Sequence, residues 1–270
     1  MNYTQINPPG CLKDYIRFCW VLQSTYADQT PKAFRAMADG SPGLIFQPAE
    51  KGILYKGADV LPETLLFGQS TSYSVLNLKG SFHTLGIYFY PNALQSIFGM
   101  NAEELTNSCL DLNTFAEKHG FYLKEQLSEA TTLDQQTAIL FSYLRFLIRK
   151  NEHRLNTVME YAIAAIASSN GDVPLKIIYT HLQLSERSFE RKFKEYVGIS
   201  PKLFSRICRF QASLSQLRNS SYHKLTDIAY QNNYADQSHF IRSFKEFAGF
   251  SPVQYQKQAK EIVDNLSELI

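Results

Sequence analysis

Arg187, Glu190, Arg191 and Lys194 fall on one side of a predicted amphipathic helix. Ser238, Arg242 and Lys245 fall on one side of a second, with Gln237 on its flank near the helix start. In the first helix Phe189 and Phe193 stand at i and i+4 and mark the core-facing side. The polar set lies roughly 100 to 200° around the helix from Phe189. An arginine on such an outer face has the two parallel donors that read O6 and N7 of guanine in a major groove. Arg191 and Arg242 are the strongest candidates for that role, while Lys194 and Lys245 fit either phosphate contacts or solvated surface lysines.

Other chemistries have little to stand on. The four cysteines, Cys11, Cys19, Cys109 and Cys208, form no CxxC pair, and with six scattered histidines they offer no zinc-type spacing. His83 alternates with Leu85, Ile87 and Phe89 on one face of a predicted strand, which reads as a core or lining histidine. Tyr88 and Tyr90 on the opposite face are candidates for lining a pocket or for ordinary strand packing. No nucleophile elbow, P-loop or dinucleotide fingerprint is present. The expectation is therefore no catalytic residue, no metal and no cofactor.

The elements that must position the arginines divide the 270-residue chain in two. The net charge of +2 runs as −2 over residues 1–171, +7 over 172–260 and −3 over 261–270, so the positive footprint of a phosphate-binding module is confined to one region. The first 90 residues carry short apolar runs broken by Gly, Pro, Asp and Ser: residues 15–22, GLIFQP, GILYKG, TLLFGQ, YSVLNLKG and FHTLGIYFYP, which predict strands of a barrel or sandwich. After Pro91 the period becomes helical, and the helix over 133–150 is apolar on more than one face, which predicts burial under the barrel or against a second copy. No run is long enough to cross a bilayer, and the N-terminus lacks a signal-like stretch, so the expected compartment is the cytoplasm.

The last hundred residues repeat. At an offset of 51, ERSFERKFKEYVGISP aligns with QSHFIRSFKEFAGFSP with eight of sixteen positions identical; upstream the offset is 50. Each copy reads as a short helix, a tight turn and a second helix with a basic outer face, the plan of a helix-turn-helix unit. Ser185 and Asp236 are expected N-caps, Gly198 a left-handed helix stop, and Ser200-Pro201 the start of the next helix. Residues 201–217 place Leu203, Ile207, Phe210, Leu214 and Leu217 on one stripe. This predicts a continuous connecting helix that separates the two units by a distance suited to successive major grooves.

On these residues, residues 155–258 resemble the DNA-binding domain of AraC-type transcriptional regulators. The second unit, LTDIAYQNNYADQSHFIRSFKEFAGFSPVQY, carries the signature through Ile228, Ala229, Asp236, Phe240, Arg242, Phe244, Lys245, Gly249, Ser251 and Pro252. The resemblance implies promoter contact by both recognition helices and no catalysis. It places base-contacting residues at Arg187, Glu190 and Arg191 in the first unit and at Gln237, Ser238 and Arg242 in the second. Two positions depart from the pattern: Tyr179 stands where a small residue is usual at the close helix crossing, and Asn233 stands where glycine is usual in the turn. The N-terminal half resembles the sensor domains of one branch of these regulators through PPGCLKDYIRFCWVL, residues 39–46 and IYFYPNALQSIFG, which implies a cupin-like barrel followed by helices.

The expected fold is thus α+β and multidomain, with an N-terminal cupin-like β-barrel with helices over 1–150 and a C-terminal all-α domain with two helix-turn-helix units over 155–260. The expected function is a transcriptional regulator of double-stranded promoter DNA, homodimeric, with a small-molecule effector and RNA polymerase as candidate partners and no membrane association. An effector is expected to perturb Trp20, the sole tryptophan. Two alternatives stand beside it: a constitutive DNA-binding adaptor whose barrel binds protein, and an enzyme with an accessory DNA-binding tail, which would need a reactive cysteine or metal cluster in the first half.

Overall fold

The computed structural model describes residues 2–24, 32–151, 156–219 and 221–258. The expected domain start at Leu155 and the acidic stretch 261–270 lie outside the described residues. Among these residues ten strands are formed: β1 (Asn2–Ile6), β2 (Ile16–Ser24), β3 (Lys32–Ala36), β4 (Gly43–Phe46), β5 (Ile53–Lys56), β6 (Asp59–Val60), β7 (Thr64–Phe67), β8 (Ser74–Lys79), β9 (Phe82–Phe89) and β10 (Cys109–Asp111). One helix, α1 (Ala93–Ser96), comes between β9 and β10, and the others follow: α2 (Leu112–Glu117), α3 (Leu123–Glu129), α4 (Leu133–Asn151), α5 (Thr157–Ser168), α6 (Leu175–His181), α7 (Glu186–Val197), α8 (Pro201–Arg218), α9 (Leu225–Gln231), α10 (Gln237–Ala248) and α11 (Pro252–Gln258).

The strands form two antiparallel sheets, in the orders β1-β2-β9-β4-β7-β10 and β3-β8-β5-β6. Among the described residues no pairing joins the two sheets, so the expected barrel is an unclosed sandwich. The six expected strand segments are present. Four strands, β1, β3, β6 and β10, went unpredicted because they are short or polar and become strands by pairing with a neighbour rather than by their own pattern.

The central strands of the larger sheet read as almost continuous apolar runs because both of their faces are covered. In β2, Cys19 and Val21 enter a core shared with the helices, while Phe18, Trp20 and Leu22 enter the core between the sheets; Leu85, Ile87 and Phe89 of β9 point to the helices and Tyr88 to the other sheet. His83 lies on the helix side. One ring nitrogen accepts from Gln23 Nε2 at 2.6 Å and the other donates to Gln136 Oε1 of α4 at 3.1 Å, so it ties β2, β9 and α4 together as a structural histidine.

α4 buries Leu140, Phe141, Tyr143, Leu144 and Leu147 in the core it shares with the larger sheet. On another face Phe146 is exposed and Ile139, at i and i+7 with it, is half-buried, so that face remains open.

A third core lies in the helical region, where Phe189, Phe193, Phe210, Phe240, Phe244 and Phe247 are all fully buried. Met37 and Ala38, between β3 and β4, pack into this same core. The N-terminal half therefore contributes residues to the core of the C-terminal half.

Candidate nucleic-acid interface

The two helix-turn-helix units are built by matching local devices. In the first, α6 ends at a turn in which Gln183 is left-handed (φ 53°), and in the second α9 ends at the equivalent Asn233 (φ 54°). Asn233 was expected to take that backbone; Gln183 was not singled out, and a long side chain at a left-handed position gives no local signal. Ser185 caps α7 by accepting from the Ser188 amide at 3.2 Å, and Asp236 caps α10 by accepting from the His239 amide at 2.7 Å. Gly198 (φ 91°) and Gly249 (φ 82°) end the two helices in the left-handed region. Ser200 caps α8 with Pro201 in its first turn, and α8 runs unbroken for 18 residues, about 27 Å at 1.5 Å per residue.

On α7 the side chains of Arg187, Glu190 and Arg191 are exposed, and Lys194 is half-buried. Lys194 is bound to Glu190 by an ion pair of 3.3 Å across one helical turn. A phosphate or base edge approaching either residue must compete with that contact, which is worth a few tenths of a kcal/mol on an exposed helix. On α10, Ser238, Arg242 and Lys245 are exposed and Gln237 is half-buried at the helix start. Arg191 and Arg242 occupy equivalent positions, and neither takes part in an ion pair among the described residues.

Sequence reading missed a second cationic group. Lys202, Arg206 and Arg209 of α8 line a cleft against Tyr234, His239 and Ser243 of the second unit. Arg206 is paired to Glu246 and lies over the Phe247 ring, and Arg209 donates to the Gly171 carbonyl at 3.2 Å and lies over Tyr234, so both are partly structural. Their i, i+4 and i, i+3 spacing on the connecting helix was the available signal. The stripe of apolar residues on the same helix obscured it.

Tyr179 is half-buried, with its ring 6.3 Å from that of Phe189, whereas Ala229 at the equivalent crossing is fully buried. The first unit thus admits a large side chain at a looser crossing.

The N-terminal half grips the C-terminal ends of both recognition helices. Thr106 Oγ1 donates to the Gly198 carbonyl at 2.6 Å, and a side chain at Gly198 would meet the Ala102 carbonyl at 2.8 Å. At the second helix the Ala38 amide donates to the Phe247 carbonyl at 3.2 Å, and the Tyr73 ring covers Gly249. Gln211 of α8 donates to the Ala38 carbonyl at 2.7 Å, and Arg35 lies over the rings of Tyr73 and Phe250.

The thiols of Cys19, Cys109 and Cys208 are poor nucleophiles. Burial pushes Cys19 and Cys208 up to about 12 and raises Cys109, and the described residues hold no cluster of metal-ligating side chains. No helix among them is long and apolar enough to cross a membrane. Trp20 is buried between the sheets.

Residues 178–258 match a family model described as a helix-turn-helix domain, and residues 4–111 match one described as a domain of unknown function (DUF6597). An uncharacterized HTH-type transcriptional regulator of Haemophilus influenzae is 27% identical over 146 residues, covering 50% of this chain and 48% of that protein. The HTH-type transcriptional activator RhaS of Salmonella schwarzengrund is 28% identical over 123 residues, covering 42% and 43%. The chain spans about half the length or less of these curated relatives. Among solved structures, ToxT from Vibrio cholerae O395 aligns with a TM-score of 0.44 and 16% identity over 93% of this chain and 100% of that one. The C-terminal region of the chain is an AraC-type helix-turn-helix domain.

Proposed function

We propose, from a C-terminal region that is an AraC-type helix-turn-helix domain, that the chain is a sequence-specific regulator of transcription that places α7 and α10 in successive major grooves of one duplex. The supporting observation is the pair Arg191 and Arg242, exposed, outside any ion pair among the described residues and equivalent in the two units. In this reading Arg187, Glu190, Gln237 and Ser238 complete the base contacts. Lys194, Lys245 and Lys202 face phosphate.

Residues 155–260 act as the DNA-binding unit and residues 1–150 as a sensor or dimerisation unit, in a protein that performs no catalysis and works in the cytoplasm. The partners are promoter DNA, RNA polymerase at the promoter, an effector, and a second copy of the chain. The open face of α4, with exposed Phe146 packed beside half-buried Phe121 and with half-buried Ile139, supports the homodimer.

Selection of bound sequences from random duplex DNA, followed by footprinting, tests the reading. Two protected major-groove segments about one helical turn apart are expected. Recovery of unselected sequence, with affinity independent of base composition, would refute it.

A further inference from the structure

A cavity of about 360 Å³ opens between the two sheets, with Ile45, Leu65, Leu76, Phe67 and Tyr88 among its walls. Three charged residues border it: Lys56, Asp59 and Asp39. Lys56 and Asp59 are register partners across the β5–β6 pair and carry opposite charges. Asp39 is the remaining charge of the lining, and the Arg17 charge acts on it from outside the cavity. Its Oδ1 accepts from the Ser41 amide at 3.0 Å, and no cation lies within ion-pair distance of it among the described residues. Arg17, whose charge acts on Asp39, donates to Ser41 Oγ at 2.6 Å. Phe67 and Tyr88 meet edge to face with centroids 5.7 Å apart.

A chamber that sets Ile45, Leu65, Leu76 and the rings of Phe67 and Tyr88 beside a carboxylate with no opposite charge of its own in the lining favours a ligand of a single kind. The carboxylate repels an anion, and a neutral guest would leave it, in a poorly solvated site, with only the Ser41 amide and the Arg17 charge to offset it. A cation gains both the carboxylate and the negative ring faces. We propose that this cavity binds a small organic ammonium ion, its charged end against Asp39, Phe67 and Tyr88 and its apolar part along Ile45, Leu65 and Leu76.

The site also explains how occupancy would reach the DNA-binding helices, and here it rests on the sensor reading above. Three stretches of its wall are the stretches that hold those helices. Met37 and Asp39 flank Ala38, which is bonded to Phe247 and Gln211. Tyr73 lies against Gly249. Asn107 adjoins Thr106, which is bonded to Gly198, and is itself bonded to Thr71. A guest that displaces any of these segments acts on the C-terminal end of α7, of α10, or of both.

Calorimetric titration of the full chain with hexyltrimethylammonium, hexan-1-ol and heptanoate, followed by DNA-affinity measurement with each, tests this. The ammonium is expected to bind about tenfold more tightly than the other two. Asp39→Asn, its fold checked by thermal melting, is expected to erase the preference, and Tyr88→Leu to weaken the ammonium while leaving hexan-1-ol unchanged. Equal binding of the three probes, no binding by any, or a preference surviving in Asp39→Asn would overturn the cation assignment. If hexan-1-ol or heptanoate binds better and shifts DNA affinity, the cation assignment falls and the sensor reading stands. Ammonium binding that depends on Asp39 yet leaves DNA affinity unchanged supports the site and removes the sensor reading.

Discussion

Thr106 Oγ1 donates a 2.6 Å hydrogen bond to the carbonyl of Gly198, the left-handed residue that ends the first recognition helix, across 92 positions of sequence. Gly198 is buried, so its carbonyl has little access to water. Thr106→Val keeps the shape, removes the donor, and is expected to cost about 1 to 3 kcal/mol in urea denaturation. A change below about 0.5 kcal/mol, within the range of neutral surface substitutions, would mean the bond is replaced by water.

The two helix-ending glycines should respond differently to alanine. A methyl at Gly198 meets the Ala102 carbonyl, which is backbone, whereas at Gly249 it meets the Tyr73 ring at 2.7 Å. Both substitutions force alanine into a left-handed conformation, at a cost of about 1 to 2 kcal/mol. Tyr73→Ala should recover part of the loss in Gly249→Ala and none of it in Gly198→Ala. Equal recovery in a double-mutant cycle would contradict the geometry.

Arg242→Ala should weaken specific DNA binding by about 1 to 3 kcal/mol with the melting temperature unchanged, because an exposed arginine that reads a base carries discrimination and little core energy. Equal losses on specific and random duplexes would reduce it to a phosphate contact.

The unequal helix crossings make a paired prediction. Ala229 is fully buried, so Ala229→Tyr should overpack the second unit and cost about 1 to 3 kcal/mol or more. Tyr179 is half-buried beside Phe189, so Tyr179→Ala should cost less than the roughly 3 to 5 kcal/mol of a fully buried aromatic. Denaturation of both variants decides, and a larger loss at Tyr179 would reverse the order of the crossings.

Burial pushes the Asp39 carboxyl up to about 6, against the opposing pull of the Arg17 charge and the Ser41 amide. Burial also raises the neighbouring Tyr88 and Tyr3, which stay neutral throughout the acid range. The folded chain therefore holds a proton that the unfolded chain releases near pH 4. The resulting stabilisation is fully present below pH 4 and is lost as pH rises through 6, on the order of 3 kcal/mol at most. Wild type minus Asp39→Asn, compared by urea melts at pH 4 and pH 7, isolates it, and a difference that does not change with pH would show the carboxyl to be ordinarily solvated.

Much of the helix-turn-helix half was legible because its devices are local. Caps at Ser185, Ser200 and Asp236, the stop at Gly198 and the i, i+4 phenylalanines each act within one or two helical turns, so residue type and spacing suffice to place them. Duplication strengthened the reading, since two copies with eight shared positions in sixteen reveal which residues the unit requires. Charge distribution then separated the basic region from the rest.

Other features belong to the tertiary structure alone. Two sheets rather than a closed barrel, the open face of α4 and the four short strands depend on which neighbour each segment meets. Lys194 looked free on the helical wheel, and only its rotamer brings it to Glu190. Asp39 borders the cavity between the sheets, a placement that only the packing of the two sheets decides. Sequence periodicity determined how each recognition helix is built. Contacts such as Thr106 with Gly198 and Tyr73 with Gly249 decided what holds the helix ends, because pairs separated by a hundred or more residues, or nearly so, leave no periodic trace in either partner's local sequence.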